Sequence, residues 1–245
     1  EYEREYACVQ ELSDARAVLR RRAFRGPMGE NGRNNMIRLY HCRDARSFRA
    51  LWMLEECGLD YELELLPFPP RWKKPEYLEE NPLGTIPLLI DGETRMTESA
   101  AICEYLAAKY GPKELHVGPD EPEFGAYLNA LHYGEATLTF PQTLVLRYTR
   151  LEPEERRQPV VAEAYAKWFL GRLTALETRL ASHDYVAADR FTAADVSVTY
   201  ALLLAQALDI LTPLPDTLQA YWDRMSARPA FKRAKDAQKP AAEVL

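Results

Sequence analysis

The hydropathy pattern of this chain changes once, and that change constrains the fold more than any other feature. From Met36 to Gly111 short strand-like runs alternate with helical stripes. Beyond the linker Pro119-Asp120-Glu121-Pro122 every apolar period is helical. In the first stretch Ile37-Arg38-Leu39-Tyr40 reads as a strand, and Phe48, Leu51, Trp52 and Leu54 form the stripe of a helix stopped by Gly58. Residues 61–66 alternate as a second strand. A Pro-rich loop over 67–75 leads to a short helical turn, and Asn81-Pro82-Leu83-Gly84 turns the chain into a strand over 86–90. Asp91-Gly92 is a hairpin turn into 93–96, and a helix bearing Ile102, Tyr105 and Leu106 ends at Gly111-Pro112. The second stretch predicts helices over 123–148, 154–182, 192–209, 215–227 and 230–236. Such an order implies two packed units, a small α/β sheet over 36–112 and an all-helical bundle over 120–245, rather than one continuous α/β sheet.

Composition narrows the function classes. Of 245 residues, 47% are hydrophobic and 28% charged, with a net charge of −6, which suits a globular chain able to bury a core. No apolar run approaches the roughly 18 residues of a membrane span. Residues 1–35 hold six acidic and seven Arg side chains; removing them from the totals of 37 acidic and 31 basic leaves 31 against 24. An acidic body of this kind does not attract nucleic acid at long range. The segment 1–35, with Arg20-Arg21-Arg22 and the turn-rich stretch from Gly26, is expected to be a flexible, solvated extension, with Met36 a natural start; its five acids before residue 15 do not fit a transit peptide. Four cysteines (Cys8, Cys42, Cys57, Cys103) show no CxxC or zinc spacing, and four histidines (His41, His116, His132, His183) no paired spacing. A reduced, cytoplasmic setting without a metal site is the expectation.

One signature in the helical stretch is sharp. Phe191-Thr192-Ala193-Ala194-Asp195-Val196 places Thr192 at an N-cap, Asp195 where its carboxylate bonds back, and Phe191 against Val196 as a hydrophobic staple. Asp195 is read as structural.

Three segments in order carry a resemblance: Leu39-Tyr40 through Glu55-Glu56-Cys57-Gly58-Leu59; Asn81-Pro82-Leu83-Gly84-Thr85-Ile86-Pro87-Leu88-Leu89; and Thr97-Glu98-Ser99-Ala100-Ala101-Ile102. They resemble the thioredoxin-like domain of a cytosolic-type bacterial glutathione transferase. The FTAAD box, Tyr221-Trp222-Asp223-Arg224-Met225 and Ala227-Arg228-Pro229-Ala230-Phe231 are similar to that family's helical domain. The resemblance spans Met36 to the C-terminus. It implies a thioredoxin-like α/β N-terminal domain with an all-α C-terminal domain, a homodimer, and glutathione as co-substrate.

Glutathione is a small, extended, anionic peptide that a strand edge can pair with. The resemblance implies a cis Ile86-Pro87 link with the N–H and C=O of Ile86 turned outward to the cysteinyl portion. Glu98 and Ser99 stand at the start of a helix, where first-turn amides and a hydroxyl can hold the γ-glutamyl carboxylate and Glu98 can accept from its ammonium. The glycine end needs a cation, and Lys73 or Lys74, aided by Arg71 or Trp72, lies in the loop where the family places such contacts. Several relatives carry His just before the Thr-Ile-Pro turn; here that place is Gly84.

The family holds the glutathione sulfur as a thiolate, the nucleophilic form of a thiol whose ordinary pKa is about 8.5. Counting back from the first helix, the place of the activating Ser or Cys falls at Ala45. Ser47 and Arg46, at the helix start, are the substitutes read as catalytic. Tyr40 could donate its phenol, Cys42 could form a mixed disulfide, and His41 reads as a structural histidine. Tyr133, among the aromatic residues of the first long helices, is the candidate for the second-substrate pocket. The reading is conjugation of glutathione to a hydrophobic electrophile. The alternatives are glutathione-dependent reduction, isomerisation or dehalogenation, and a non-catalytic glutathione-binding or regulatory protein of the same fold.

Overall fold

The structure is a computed structural model, and it describes residues 36–239. The segment 1–35 and Cys8 lie outside the described residues. A four-stranded sheet of order β2-β1-β3-β4 is built from β1 (Ile37–His41), β2 (Tyr61–Leu65), β3 (Leu88–Asp91) and β4 (Thr94–Met96). β1 runs parallel to β2, with Leu39 opposite Leu63, and antiparallel to β3, with Leu39 opposite Leu89. The helix α1 (Ser47–Glu56) supplies the crossover that a parallel pair needs, and the β3–β4 pair closes through Gly92 at φ 59°.

Two short helices, α2 (Pro70–Lys73) and α3 (Tyr77–Glu80), precede β3, and α4 (Ser99–Tyr110) follows β4. The helical unit contains α5 (Phe124–His132), α6 (Phe140–Leu146), α7 (Pro159–Leu180), α8 (Ala193–Ala207), α9 (Asp216–Ser226) and α10 (Pro229–Ala237).

Every residue of α1 from Ser47 to Leu54 is buried, because the helix lies between sheet and bundle and has no solvent face. One core runs through both units. Phe48 meets Phe231 edge-on at 5.4 Å, and Trp52 meets Phe231 at 4.9 Å and Phe191 at 5.8 Å. Charged clasps close its rim, with Arg228 bridging both carboxylate oxygens of Glu56 at 2.7 and 2.9 Å and Arg233 Nε 2.7 Å from Glu55. A second, smaller cluster of Tyr40, Cys42, Leu66, Tyr77, Ile86 and Leu88 includes Ala45 and Ile90 at its edge.

The Thr192 capping box is present: Thr192 N–H donates to Asp195 Oδ2 at 2.9 Å, and Asp195 Oδ1 accepts from Val186 N–H and the Tyr221 hydroxyl. Three boundaries differ from the sequence reading. β3 begins at Leu88, beyond Pro87, which has no N–H for the ladder. The helix expected from 154 begins at Pro159, because the residue before a proline is pushed out of the helical region; Gln158 sits at φ −129°, ψ 79°. The helix expected over 123–148 is interrupted by π-helical coils at Tyr133–Thr139 and Arg147–Leu151.

Candidate functional site

The β1–α1 loop, the turn before β3 and the start of α4 come together at one end of the sheet. Ala45 packs in the same apolar cluster as Ile86, so the loop and the turn are neighbours. The Ile86-Pro87 peptide is cis. Neither the N–H nor the C=O of Ile86 bonds to another backbone group among the described residues. The turn is held from behind: Asn81 Nδ2 and the Tyr77 hydroxyl each donate to Thr85 C=O at 2.8 Å. Gly84 sits at φ +61°, and a Cβ there would stand 2.7 Å from Arg71 Cβ and 3.0 Å from Leu78 Cδ2. Its bare Cα lets α2 and α3 lie against the turn, so a side chain has no room there.

At the start of α4, Glu98 is exposed and Ser99 buried, and no side chain caps the helix. The first-turn amides therefore keep their hydrogen-bonding capacity for a ligand. Of the two lysines, Lys73 is exposed, whereas the Lys74 ammonium is 3.3 Å from Glu64 and already has a carboxylate partner.

The β1–α1 loop separates the thiol-activating candidates. Ser47 has no solvent exposure; its hydroxyl accepts from Cys42 N–H at 3.2 Å and donates to Cys42 C=O at 3.3 Å. The hydroxyl ties the loop to α1, and Ser47 offers no exposed surface from which to meet a ligand sulfur. Cys42 is also fully buried, its Sγ directed at Pro67 C=O, and burial pushes its thiol up to about 12, so it is no thiolate at neutral pH. Tyr40 is packed at 5.4 Å against Tyr77, with its phenol pushed up by burial.

His41 is buried, and burial lowers it to about 4. Gln238 Nε2 donates to Asp44 Oδ1 at 2.7 Å, which fixes the amide so that Gln238 Oε1 faces His41 Nε2 and Asp44 N–H, each at 3.0 Å. His41 Nε2 consequently carries the proton. Asp44, at φ 52°, has its carboxyl held below the usual range: burial pushes it up, but Lys235 and Gln238 outweigh that.

Of the two residues read as catalytic, Arg46 keeps solvent exposure. Its side chain is 30% exposed, and its Nε lies 2.6 Å from Glu135 Oε1. Glu135 also accepts from Arg49 Nη1. Burial raises the Glu135 carboxyl, but the charges and hydrogen bonds of Arg49 and Arg46 more than offset this and hold it below the ordinary range. The sequence reading assigns a role to neither Arg49 nor Glu135. The available signal was an Arg with apolar neighbours on every side of α1, since a charge in such a place requires an acid.

Tyr133 is not brought to this site. Its hydroxyl donates to Arg172 C=O on α7, and it lines a groove of about 230 Å³ with Ala126, Asn129, Leu176 and Arg179, all residues of the helical unit. The π coil explains the redirection: Gly134 and Thr139, five residues apart, face Arg49 together, leaving Tyr133 toward α7. Among the described residues no group of three or more His, Cys, Asp or Glu is placed to hold a metal.

A βαβ unit with a following hairpin and helix, cis proline before β3, and an appended helical bundle over one face together define the thioredoxin-like two-unit architecture. Residues 45–109 match the family model for the glutathione S-transferase N-terminal domain, and residues 140–229 that for its C-terminal domain. The chain is 30% identical to glutathione S-transferase 3 of Schizosaccharomyces pombe over 215 residues, 82% of this chain and 87% of that one. It is 33% identical to glutathione S-transferase 1 of Zea mays, over 79% of this chain and 92% of the relative. A solved glutathione transferase from Methylococcus capsulatus superposes with a TM-score of 0.72 at 26% identity, covering 83% of this chain and 98% of the other. The chain belongs to the glutathione S-transferase family.

Proposed function

We propose that this chain is a glutathione transferase that binds glutathione along the Ile86-Pro87 turn and joins its sulfur to a hydrophobic electrophile. The free N–H and C=O of Ile86 pair with the cysteinyl backbone as a further strand would. The γ-glutamyl carboxylate rests on the amides of the first turn of α4 and on Ser99, with Glu98 accepting from the ammonium. Lys73, which has no carboxylate partner among the described residues, takes the glycine carboxylate.

The observation that carries the catalytic part is the partly exposed Arg46 guanidinium at the start of α1, beside the loop packed on Ile86. A cation there favours the thiolate and lowers the thiol pKa. The S–H proton passes to water, the sulfur lone pair forms the new S–C bond, and the leaving group departs with its electron pair. In the absence of a loop hydroxyl that reaches the cleft, Arg46 and the dipole of α1 do this work electrostatically.

Turnover of a chloro-nitro-aromatic by the purified chain, together with retention on immobilised glutathione, tests the reading. Retention without turnover of that compound, a peroxide or a haloalkane favours a non-catalytic binder, a reading to which the missing hydroxyl at Ala45 lends weight. Homodimer formation and a role in detoxification are proposed with the family. The three described cysteines are free thiols, which suits a reducing, cytoplasmic setting.

A further inference from the structure

Arg49 is a fully buried cation fixed on all sides. Nε and Nη2 donate to Ser197 C=O at 3.1 Å each, Nη2 also to Gly134 C=O at 3.1 Å and Thr139 Oγ1 at 2.7 Å, and Nη1 to Glu135 and to Ser99 Oγ at 3.1 Å. The face of Tyr200 lies 4.3 Å from its Cζ. Close approach of α8 permits this: a Cβ on Gly134 would stand 2.5 Å from Ser197 Oγ. One side chain of α1 thus links both units to the first residue of α4.

A guanidinium has donors and no acceptor, so Ser99 Oγ can only accept from it. The single hydroxyl hydrogen of Ser99 then has to point elsewhere, and it has no acceptor among the described residues. We infer that Arg49 is a positioning residue for substrate binding: it orients the Ser99 hydroxyl so that its hydrogen is presented to the γ-glutamyl carboxylate of glutathione. This rests on the assignment of Ser99 to that carboxylate. Accepting from a cation also polarises the O–H and makes it a stronger donor. Arg49 touches no substrate in this scheme.

A double-mutant cycle in the full chain tests it, read as the glutathione dissociation constant by calorimetry, with melting temperature measured alongside. Ser99→Ala is expected to weaken glutathione about tenfold, the value of one hydrogen bond to a charged group. Arg49→Lys, which keeps the charge and loses the fan of donors, is expected to weaken it several-fold when Ser99 is present and not at all when combined with Ser99→Ala. With an analogue lacking the γ-glutamyl α-carboxylate, the penalties of both variants vanish. Should Arg49→Lys fail to fold, Thr139→Val removes one acceptor of Nη2 and is expected to weaken glutathione by about threefold, again only while Ser99 is present. Penalties that add fully across the two backgrounds overturn the inference while leaving Ser99 as a ligand. A Ser99→Ala variant that binds glutathione as tightly as the unaltered chain overturns the site assignment itself.

Discussion

Lys235 Nζ lies 2.6 Å from Asp44 Oδ1, joining α10 to the loop that carries Ala45 and Arg46. The same carboxylate accepts from Gln238 Nε2, and the Tyr200 hydroxyl donates to Asp44 C=O at 3.3 Å. The left-handed backbone of Asp44 is thereby held from the helical unit, at the residue two before Arg46. Lys235→Ala is expected to cost about 0.7 kcal/mol, as a partly exposed ion pair does, and to lower turnover about threefold. Steady-state rates and glutathione affinity on the same preparation check this; an unchanged rate contradicts a holding role for α10.

Arg46→Ala is expected to raise the pKa of the bound glutathione thiol, because the cation that favours the thiolate is gone. Turnover on a chloro-nitro-aromatic falls by about tenfold near pH 6.5 and recovers as the pH rises, with glutathione affinity within about twofold. A pH–rate profile that falls uniformly, with its midpoint unmoved, removes Arg46 from thiol activation.

Ser47→Ala removes two hydrogen bonds that tie α1 to Cys42. We expect a stability loss of about 1–2 kcal/mol in urea unfolding and turnover per folded molecule within about twofold. Near-complete loss of turnover in a well-folded variant would restore Ser47 as the sulfur's partner.

His41 predicts a pH signature in stability. Its folded pKa, about 4, lies below the ordinary value near 6.5, so the unfolded chain binds the extra proton first. Stability from this group is full above about pH 6.5 and is lost as the pH falls from there to about 4, by about 3 kcal/mol. Asp44 and Lys235 face this region with opposite charges, and both are already paired. His41→Asn should flatten that part of the urea-midpoint profile; a variant that loses stability over this range as steeply as the unaltered chain contradicts the burial argument.

The path of the chain was largely legible in its sequence. Period-2 runs, the Gly58 and Gly111 stops, the Asp91-Gly92 turn and the Thr192 box are local signals, and each marks an element where the structure has one. The cis Ile86-Pro87 link followed from the resemblance rather than from the residues. What stayed hidden depends on contacts distant in sequence. Ser47 and Arg46 look alike as polar residues at a helix start, yet one turns into the loop and the other to Glu135, 89 residues away. Lys73 and Lys74 differ through Glu64 on the neighbouring strand. Around Tyr133 the sequence shows an ordinary helical stripe, while the buried Arg49 draws Gly134 and Thr139 onto one face of a wider coil and the tyrosine turns to α7.

A crystal structure of the chain soaked with glutathione tests the central claim most directly. The account predicts the cysteinyl N–H and C=O paired with Ile86, the γ-glutamyl carboxylate at Ser99 and the amides of α4, and the sulfur turned to Arg46. Glutathione seated away from Ile86, or absent at millimolar concentration, would contradict it.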